Sequence, residues 1–177
     1  MRCAVSVVAL PRVRVEPLDQ EDLDMAAVFL LKVWRDTYRR TLPRRIVEER
    51  STGYFRDYLK KRASTCRLAW LGDRLVGLAT TQQNCVDDLW VAPRFRRRGI
   101  GTALLEAATG GLRERGYQYA QAGCEDFNDS AMAFFDRAGW DCIGGDSITL
   151  TPGYRVNAMV FSRRLPGTVE GVGRAGD

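Results

Sequence analysis

Leu89 to Leu105 reads LWVAPRFRRRGIGTALL, and this stretch decides the fold. The leucine, tryptophan and valine at its start favour a β-strand, which Pro93 ends. From Ile100 onward, apolar residues recur on one helical face, which predicts a helix from Gly99 to Arg115. The sequence therefore predicts a strand that turns sharply into the N-terminus of a helix.

The predicted turn has the properties of an anion site. Backbone N–H groups in the first turn of a helix have no partner within the helix, and the helix dipole adds positive charge there. Gly99 and Gly101 have no Cβ, so a phosphate can approach the backbone closely. The neighbouring side chains of Arg96, Arg97 and Arg98 add further positive charge. We expect this turn to bind a polyphosphate.

Two familiar nucleotide-binding motifs fit the turn poorly. The dinucleotide fingerprint needs G-x-G-x-x-G after a first strand, and the P-loop needs Gly-Lys-Ser/Thr, which does not follow here. Arg96 to Gly101 instead resembles the R/Q-x-x-G-x-G/A signature of the Gcn5-related N-acetyltransferase (GNAT) superfamily, whose members bind acetyl-CoA. Asn128 to Trp140, NDSAMAFFDRAGW, resembles a second pattern of that superfamily, N-x-x-A-x-x-F/L-Y-x-x-x-G-F/W.

Hydrophobic periodicity along the chain predicts the order β-α-α-β-β-β-α-β-α-β-β. Strands are expected at 12–16, 66–71, 75–83, 86–91, 117–123, 140–147 and 155–162. Helices are expected from an acidic start at 19–24 to residue 38, from Pro43 with an interruption at 51–53, and at 99–115 and 130–138. This is the GNAT order. The resemblance implies an α/β fold with a mixed, mostly antiparallel sheet, splayed between strands 4 and 5 and flanked by about four helices.

At 177 residues, the chain has the length of one domain. We expect an N-terminal extension at 1–11, the GNAT domain at 12–165, and a flexible, glycine-rich tail at 166–177. The sequence has no apolar run long enough to span a membrane and no convincing signal peptide. A cytoplasmic protein is therefore expected, and a homodimer is left open.

The composition excludes several kinds of chemistry. The chain has no histidine, which excludes His-based triads, His-ligated metals and an imidazole base. Its five cysteines are scattered without metal-ligand spacing, so we expect reduced core residues and no metal. The net charge is +5, but the basic residues are interleaved with acidic ones along the chain. The arginine cluster at 94–98 is already explained by a phosphorylated cofactor. Nucleic acid is therefore disfavoured as a partner.

The resemblance implies where acetyl-CoA would lie. The backbones of Leu89 and Val91 would pair with the pantetheine arm, and the N–H groups of residues 97–102 would hold the pyrophosphate. Asn128 is also a competent N-cap, and Phe134 could equally be a core residue. The implied cofactor contacts are Leu89, Trp90, Val91, Arg96, Arg97, Arg98, Gly99, Ile100, Gly101, Thr102, Asn128, Ala131, Phe134 and Arg137.

The resemblance also implies direct transfer of acetyl from acetyl-CoA to an amine, with a base that removes the amine's proton. Many members protonate the leaving thiolate with a Tyr in the second motif, where this chain has Phe135. The candidate bases are Asp87, favoured over its neighbour Asp88, and Glu125. Strand alternation places the two aspartates on opposite faces, so only one of them could face an acceptor. Solvated strand-end carboxylates are the alternative for each.

Trp34, Tyr38 and the Leu42-Pro43 pair resemble the pattern W-x-x-x-Y-x-x-x-L-P of many bacterial GNATs of unassigned substrate. Trp34 and Tyr38 are therefore candidate substrate-binding residues, although aromatic pairs at this spacing also form cores. The expected activity is transfer of acetyl from acetyl-CoA to a primary amine of a small molecule or peptide. The alternatives are a CoA-binding sensor without turnover, which Phe135 makes conceivable, and a toxin that acetylates aminoacyl-tRNA.

Overall fold

The computed structural model describes residues 12–167, and a seven-stranded mixed sheet forms its centre. The predicted N-terminal extension, Cys3 and the tail from residue 168 onward lie outside the described residues. The strands are β1 (Val13–Pro17), β2 (Arg67–Leu71), β3 (Arg74–Gln82), β4 (Cys85–Val91), β5 (Tyr119–Glu125), β6 (Asp141–Thr151) and β7 (Tyr154–Arg164). They lie in the order β1-β2-β3-β4-β5-β7-β6, so that β4 and β5 meet in the middle of the sheet.

Five α-helices flank the sheet: α1 (Leu23–Tyr38), α2 (Arg44–Glu48), α3 (Thr52–Lys61), α4 (Ile100–Glu114) and α5 (Asp129–Arg137). The helical region expected from Pro43 is two helices, because Ser51 starts a new one. Its hydroxyl accepts a hydrogen bond from the Tyr54 N–H at 3.1 Å, as an N-cap residue does. None of the described helices is both long enough and apolar enough to cross a membrane.

The predicted splay between the fourth and fifth strands is confirmed. β4 and β5 run parallel and pair only at Cys85 with Gln121 and at Val86 with Ala122. Beyond these pairs the two strands separate. β3 continues to pair with β4 as far as Val91, and β7 pairs with β5 as far as Glu125. The gap therefore leaves one backbone edge of each central strand open.

Two hydrophobic clusters cover the two faces of the sheet. Helices α1, α2 and α3 pack on one face around Leu30, Leu59 and Leu78. Helix α4, with α5, packs on the other around Leu104 and Phe135. Successive strand residues contribute to opposite clusters. The gap between β4 and β5 therefore lies between the two helical layers.

The expectation that all cysteines are core residues is wrong for part of the described chain. Cys66 and Cys124 are buried free thiols, Cys85 is half-buried, and Cys142 is exposed. Cys142 lies on β6, which is an edge strand of the sheet and has little packed over it.

Candidate active site

A cleft of about 600 Å³ opens where β4 and β5 separate. The C-terminal part of β4, the turn after it, helix α4 and helix α5 form its walls. The structure brings nearly all of the predicted cofactor residues together in this cleft. The predicted residues that line it are Leu89, Trp90, Val91, Arg96, Arg97, Gly99, Gly101, Thr102, Asn128, Ala131, Phe134 and Arg137.

Two predicted cofactor residues lie elsewhere. The Ile100 side chain is buried in the core beneath α4, so only its backbone is available to a ligand. The Arg98 guanidinium lies 5.6 Å from the centroid of the Phe95 ring, away from the cleft lining. The chain changes direction sharply at the turn and at the start of α4, so the Arg98 and Ile100 side chains point away from the cleft.

Sequence reasoning missed several residues that also line the cleft. They are Thr37, Leu105, Glu106, Thr109, Ser130, Ala138 and Arg163, and Phe135, singled out only for the missing tyrosine, lines the cleft as well. Leu105, Glu106 and Thr109 follow Thr102 at helical spacings of three, four and seven, so the face of α4 could have been extended from the motif. Thr37 and Arg163 come from α1 and β7, and no local signal in the sequence connects them to the motif.

The turn before α4 carries backbone donors without helical partners. Arg97 and Gly99 have φ values of +62° and +79°, which direct the chain sharply into the helix. No side chain caps the helix at Gly99. The N–H groups of the first helical turn therefore face the cleft mouth as free donors beside the positive end of the helix dipole.

The room for a phosphate depends on Gly101. A Cβ built there would lie 3.2 Å from Phe134 Cε2 and 3.8 Å from Val91 Cγ2. The walls from β4 and α5 thus converge on this glycine, and any side chain would fill the space between them. The arrangement fits the pyrophosphate of a nucleotide-derived cofactor such as acetyl-CoA.

Asn128 caps α5, as predicted, and also lines the cleft. Its Oδ1 accepts a hydrogen bond from the Ala131 N–H at 3.2 Å, which caps α5. Its Nδ2 donates to Glu125 Oε2 at 3.1 Å, and the residue lines the cleft. The N-cap thus connects the cleft to a carboxylate at the end of β5.

The expectation that Asp87 and Asp88 lie on opposite faces is wrong. Thr80 pairs with Asp88, whereas Thr81 pairs with Val86, so Asp87 is the extra residue of a β-bulge. The bulge interrupts the alternation, and the two carboxylates share the single hydroxyl proton of Tyr58, from α3. The distance from the Tyr58 oxygen to Asp87 Oδ2 is 3.0 Å, and its contact with Asp88 Oδ2 is shorter.

The two aspartates differ in their surroundings. The Asp87 side chain is 36% exposed and pairs with Arg62 at 2.9 Å. Asp88 is half-buried and accepts hydrogen bonds from Thr80 Oγ1 and Trp90 Nε1, each at 2.8 Å, in addition to Tyr58. Asp88 therefore holds the side chains of Tyr58 and Trp90 in place, and Asp87 is the more exposed of the two carboxylates.

Burial raises the pKa of the Asp88 carboxyl above its ordinary value, and the hydrogen bonds from Tyr58, Trp90 and Thr80 only partly oppose this effect. Burial beside the two aspartates also raises the pKa of Tyr58 well above its usual range, so that Tyr58 stays a neutral donor. The charge of Asp87 nearby adds to the raised pKa of Asp88.

The raised pKa of Asp88 predicts a pH-dependent contribution to stability. The folded protein holds this proton at a higher pH than the unfolded chain does. The stabilising contribution is therefore fully present below the ordinary aspartate pKa of about 3.9 and is lost as the pH rises through the folded value. The melting temperature of the parent relative to Asp88→Asn should increase between pH 7 and pH 4. A difference that stays constant or shrinks would contradict this assignment.

Trp34 and Tyr38, the candidate substrate-binding residues, lie behind the cleft surface. They are only 5% and 2% exposed, and neither lines the cleft. Their ring centroids lie 4.4 Å from each other and 6.4 Å and 5.9 Å from that of Trp90, which does line it. Helical spacing places the pair on the inner face of α1. The two residues thus support the cleft wall through Trp90.

Glu125, at the end of β5, is the second candidate base. It is 6% exposed, and the Tyr38 hydroxyl donates to its Oε1 while Asn128 donates to its Oε2. Burial next to Glu125 raises the pKa of Tyr38 well above its usual range. Both carboxylate oxygens of Glu125 thus already accept a hydrogen bond. This pairing joins α1 to the start of α5 across the gap in the sheet.

Phe135, which stands where many GNATs have a tyrosine, is part of an apolar cluster. Its ring stacks on Phe161 at 5.3 Å between centroids and tilts against Trp140 at the same distance. Phe135 also lines the cleft, but it has no proton to donate.

Comparisons with known proteins agree with this geometry. A profile of the acetyltransferase (GNAT) family matches residues 28–140. No curated protein sequence matches the chain significantly. Among solved structures, the fold is similar to the GCN5-related N-acetyltransferase from Rhodopseudomonas palustris, with a TM-score of 0.71, 19% identity, and coverage of 90% of this chain and 98% of that one.

Two further similar structures were solved with a ligand. The first is yncA from Salmonella typhimurium with its cofactor acetyl-CoA, with a TM-score of 0.68, 14% identity, and coverage of 89% of this chain and 96% of that one. The second is the PaiA N-acetyltransferase from Thermoplasma acidophilum with coenzyme A, with a TM-score of 0.67, 15% identity, and coverage of 87% and 99%. The family profile spans more than half of the chain, and the fold agrees with it. This chain therefore belongs to the GNAT acetyltransferase family.

Proposed function

We propose that the protein transfers the acetyl group of acetyl-CoA directly to a primary amine of a small molecule or peptide. One observation carries the proposal. A turn rich in free backbone donors opens into a cleft at the gap in the sheet, and the cleft is also lined by Asn128, which donates a hydrogen bond to Glu125. A phosphorylated cofactor at the turn and an amine near the carboxylates would meet in this gap.

Different residues of the cleft would bind different parts of acetyl-CoA. Backbone N–H groups of the turn and the side chains of Arg96 and Arg97 would hold the pyrophosphate. The open edge of β4 at Leu89 and Val91 would pair with the amide groups of the pantetheine arm. Arg137 and Arg163 would neutralise a phosphate at the outer end of the cleft. The bound cofactor supplies an activated acyl group for transfer.

We assign Asp87 as the general base, which removes the proton of the incoming amine directly or through a water molecule. It is the more exposed of the two bulge carboxylates, and its position is fixed by Arg62 and Tyr58. Glu125 is mostly enclosed, and both of its oxygens accept hydrogen bonds, so it positions Asn128 and Tyr38. A set of carboxylates favours a cationic amine over an anionic acceptor.

The absence of a tyrosine at position 135 should have only a small effect on turnover. A CoA thiol has a pKa near the cysteine reference of about 8.5, so its thiolate can leave without a side-chain acid. We expect Phe135→Tyr to keep the fold and to change turnover by less than about tenfold, which corresponds to about 1.4 kcal/mol in barrier. Steady-state kinetics and thermal melting measure both. A gain of several orders of magnitude would favour a CoA-binding sensor.

The proposed function is tested with acetyl-CoA and a panel of amines, with thiol release as the readout. The panel should include polyamines, amino acids, peptides with free N-termini and aminoglycosides. We expect turnover with at least one cationic primary amine. Tight acetyl-CoA binding without any turnover would indicate a sensor. Acetylation confined to aminoacyl-tRNA, with salt-dependent RNA retention, would indicate the toxin alternative.

A further inference from the structure

Thr37 is the one cleft-lining residue that comes from α1. Within the described part of the chain, its Oγ1 is buried and has no hydrogen-bond partner. A threonine hydroxyl inside a helix usually donates to the carbonyl of the residue three or four positions earlier. Here that bond is missing. An unpaired buried hydroxyl is destabilising. Because Thr37 lines a cleft, a bound ligand could provide the hydrogen-bond partner that the protein lacks.

Three other side-chain donors near Thr37 are occupied, whereas Trp34 Nε1 is also buried without a partner but does not line the cleft. The Tyr38 hydroxyl donates to Glu125, Trp90 Nε1 donates to Asp88, and Asn128 Nδ2 donates to Glu125. The acceptors of these bonds are carboxylates, which hold their donors strongly. Thr37 is thus the free hydroxyl in this group. Rotation about its χ1 would turn the hydroxyl toward the cleft and would break no existing bond.

The position of Thr37 selects the part of the ligand that it would meet. The phosphate-binding turn lies on the face covered by α4 and α5, whereas Thr37 lies on the face covered by α1. A cofactor anchored by its phosphates at the turn would therefore present its far end to Thr37. In acetyl-CoA that end is the thioester, whose carbonyl oxygen is an acceptor in need of a donor.

We infer that the Thr37 hydroxyl binds the acyl carbonyl oxygen of acetyl-CoA and stabilises the negative charge that develops there during transfer. This inference rests on the proposed function. The hydroxyl would act as a donor in addition to the backbone N–H groups of the open β4 edge. It would also let the cleft distinguish acetyl-CoA from CoA, which has no carbonyl at that end.

The test compares the parent with Thr37→Val and Thr37→Ser. Valine has the same shape without the hydroxyl, and serine keeps the hydroxyl. By calorimetry, Thr37→Val should bind acetyl-CoA ~3–10-fold more weakly and bind CoA as the parent does. Turnover with the best amine should fall ~10–100-fold, since the hydrogen bond strengthens as charge develops. Thr37→Ser should retain most of the parent's affinity and rate.

A melting measurement adds a readout that is independent of the ligand. Thr37→Val removes an unpaired buried hydroxyl and should melt at the same temperature as the parent or higher. Equal acetyl-CoA affinities for the parent and Thr37→Val, or equal losses of acetyl-CoA and CoA binding, would overturn the inference. If the parent bound neither acetyl-CoA nor CoA, the proposed function itself would fail. If the parent bound both ligands and Thr37→Val bound them equally well, only the role of Thr37 would be refuted, and the proposed function would stand.

Discussion

Gly101→Val should weaken acetyl-CoA binding ~100-fold or more, which corresponds to about 2.7 kcal/mol. A Cβ at this position already lies 3.2 Å from Phe134, and the two methyl groups of valine would extend into the space between β4 and α5. A phosphate could then no longer approach the N–H groups of the first turn of α4. Calorimetry with acetyl-CoA measures the loss.

Gly110→Val is the matched control on the same helix. A Cβ at Gly110 has no heavy atom within 4 Å, and the residue does not line the cleft. This variant should bind acetyl-CoA as the parent does. Gly99 is less suitable for the test, because its φ of +79° would strain any side chain regardless of the ligand. If Gly101→Val retained the parent's affinity while both variants stayed folded, the pyrophosphate site would have to lie elsewhere.

Asp87→Asn should lower turnover ~100-fold while acetyl-CoA affinity stays unchanged, because a general base acts on the chemical step. The asparagine can still accept hydrogen bonds from Tyr58 and Arg62 but cannot take the amine's proton. Asp87 is not among the residues that line the cofactor cleft, so binding should not respond. Single-turnover rates and calorimetry separate the two quantities.

Two further variants separate chemistry from structure at the bulge. Arg62→Gln removes the ion pair but leaves the Asp87 carboxylate, and it should lower turnover far less than Asp87→Asn does. Asp88→Asn changes a half-buried acceptor of three hydrogen bonds and should act mainly on melting temperature. Equal losses from Asp87→Asn and Arg62→Gln would assign the pair a structural role. A rate that follows only the amine's own pKa would mean that no side-chain base is used.

The turn that we propose for the cofactor could be predicted from the sequence because its geometry is local. A strand, a turn with glycines and a helix N-terminus lie within one stretch of residues, so the motif alone defines the backbone donors. The helix periodicity after Gly101 also contained Leu105 and Thr109, although the motif did not point to them. The surroundings of the candidate bases Asp87 and Glu125 could not be predicted in the same way, because they combine residues from α1, α3, β4 and β5.

The bulge at Asp87 shows why strand alternation misled. Alternation holds within a regular strand, but a bulge arises from the pairing of β4 with β3, and nothing within β4 indicates where the register shifts. The bond from Tyr38 to Glu125 joins residues 87 positions apart, and no local pattern specifies it. Thr37 also lies far from the motif in the sequence, so the motif does not point to it.

By itself, then, the sequence determined the family, the order of elements and the strand–turn–helix segment that we propose binds phosphate, because hydrophobic periodicity, glycine geometry and helix ends act over a few residues. The tertiary structure alone decided which carboxylate stays exposed, which donors are already occupied, and that Thr37 of α1 lines the same cleft as the turn after β4. The physical reason is that burial and hydrogen-bond pairing depend on segments that meet only when the sheet is assembled.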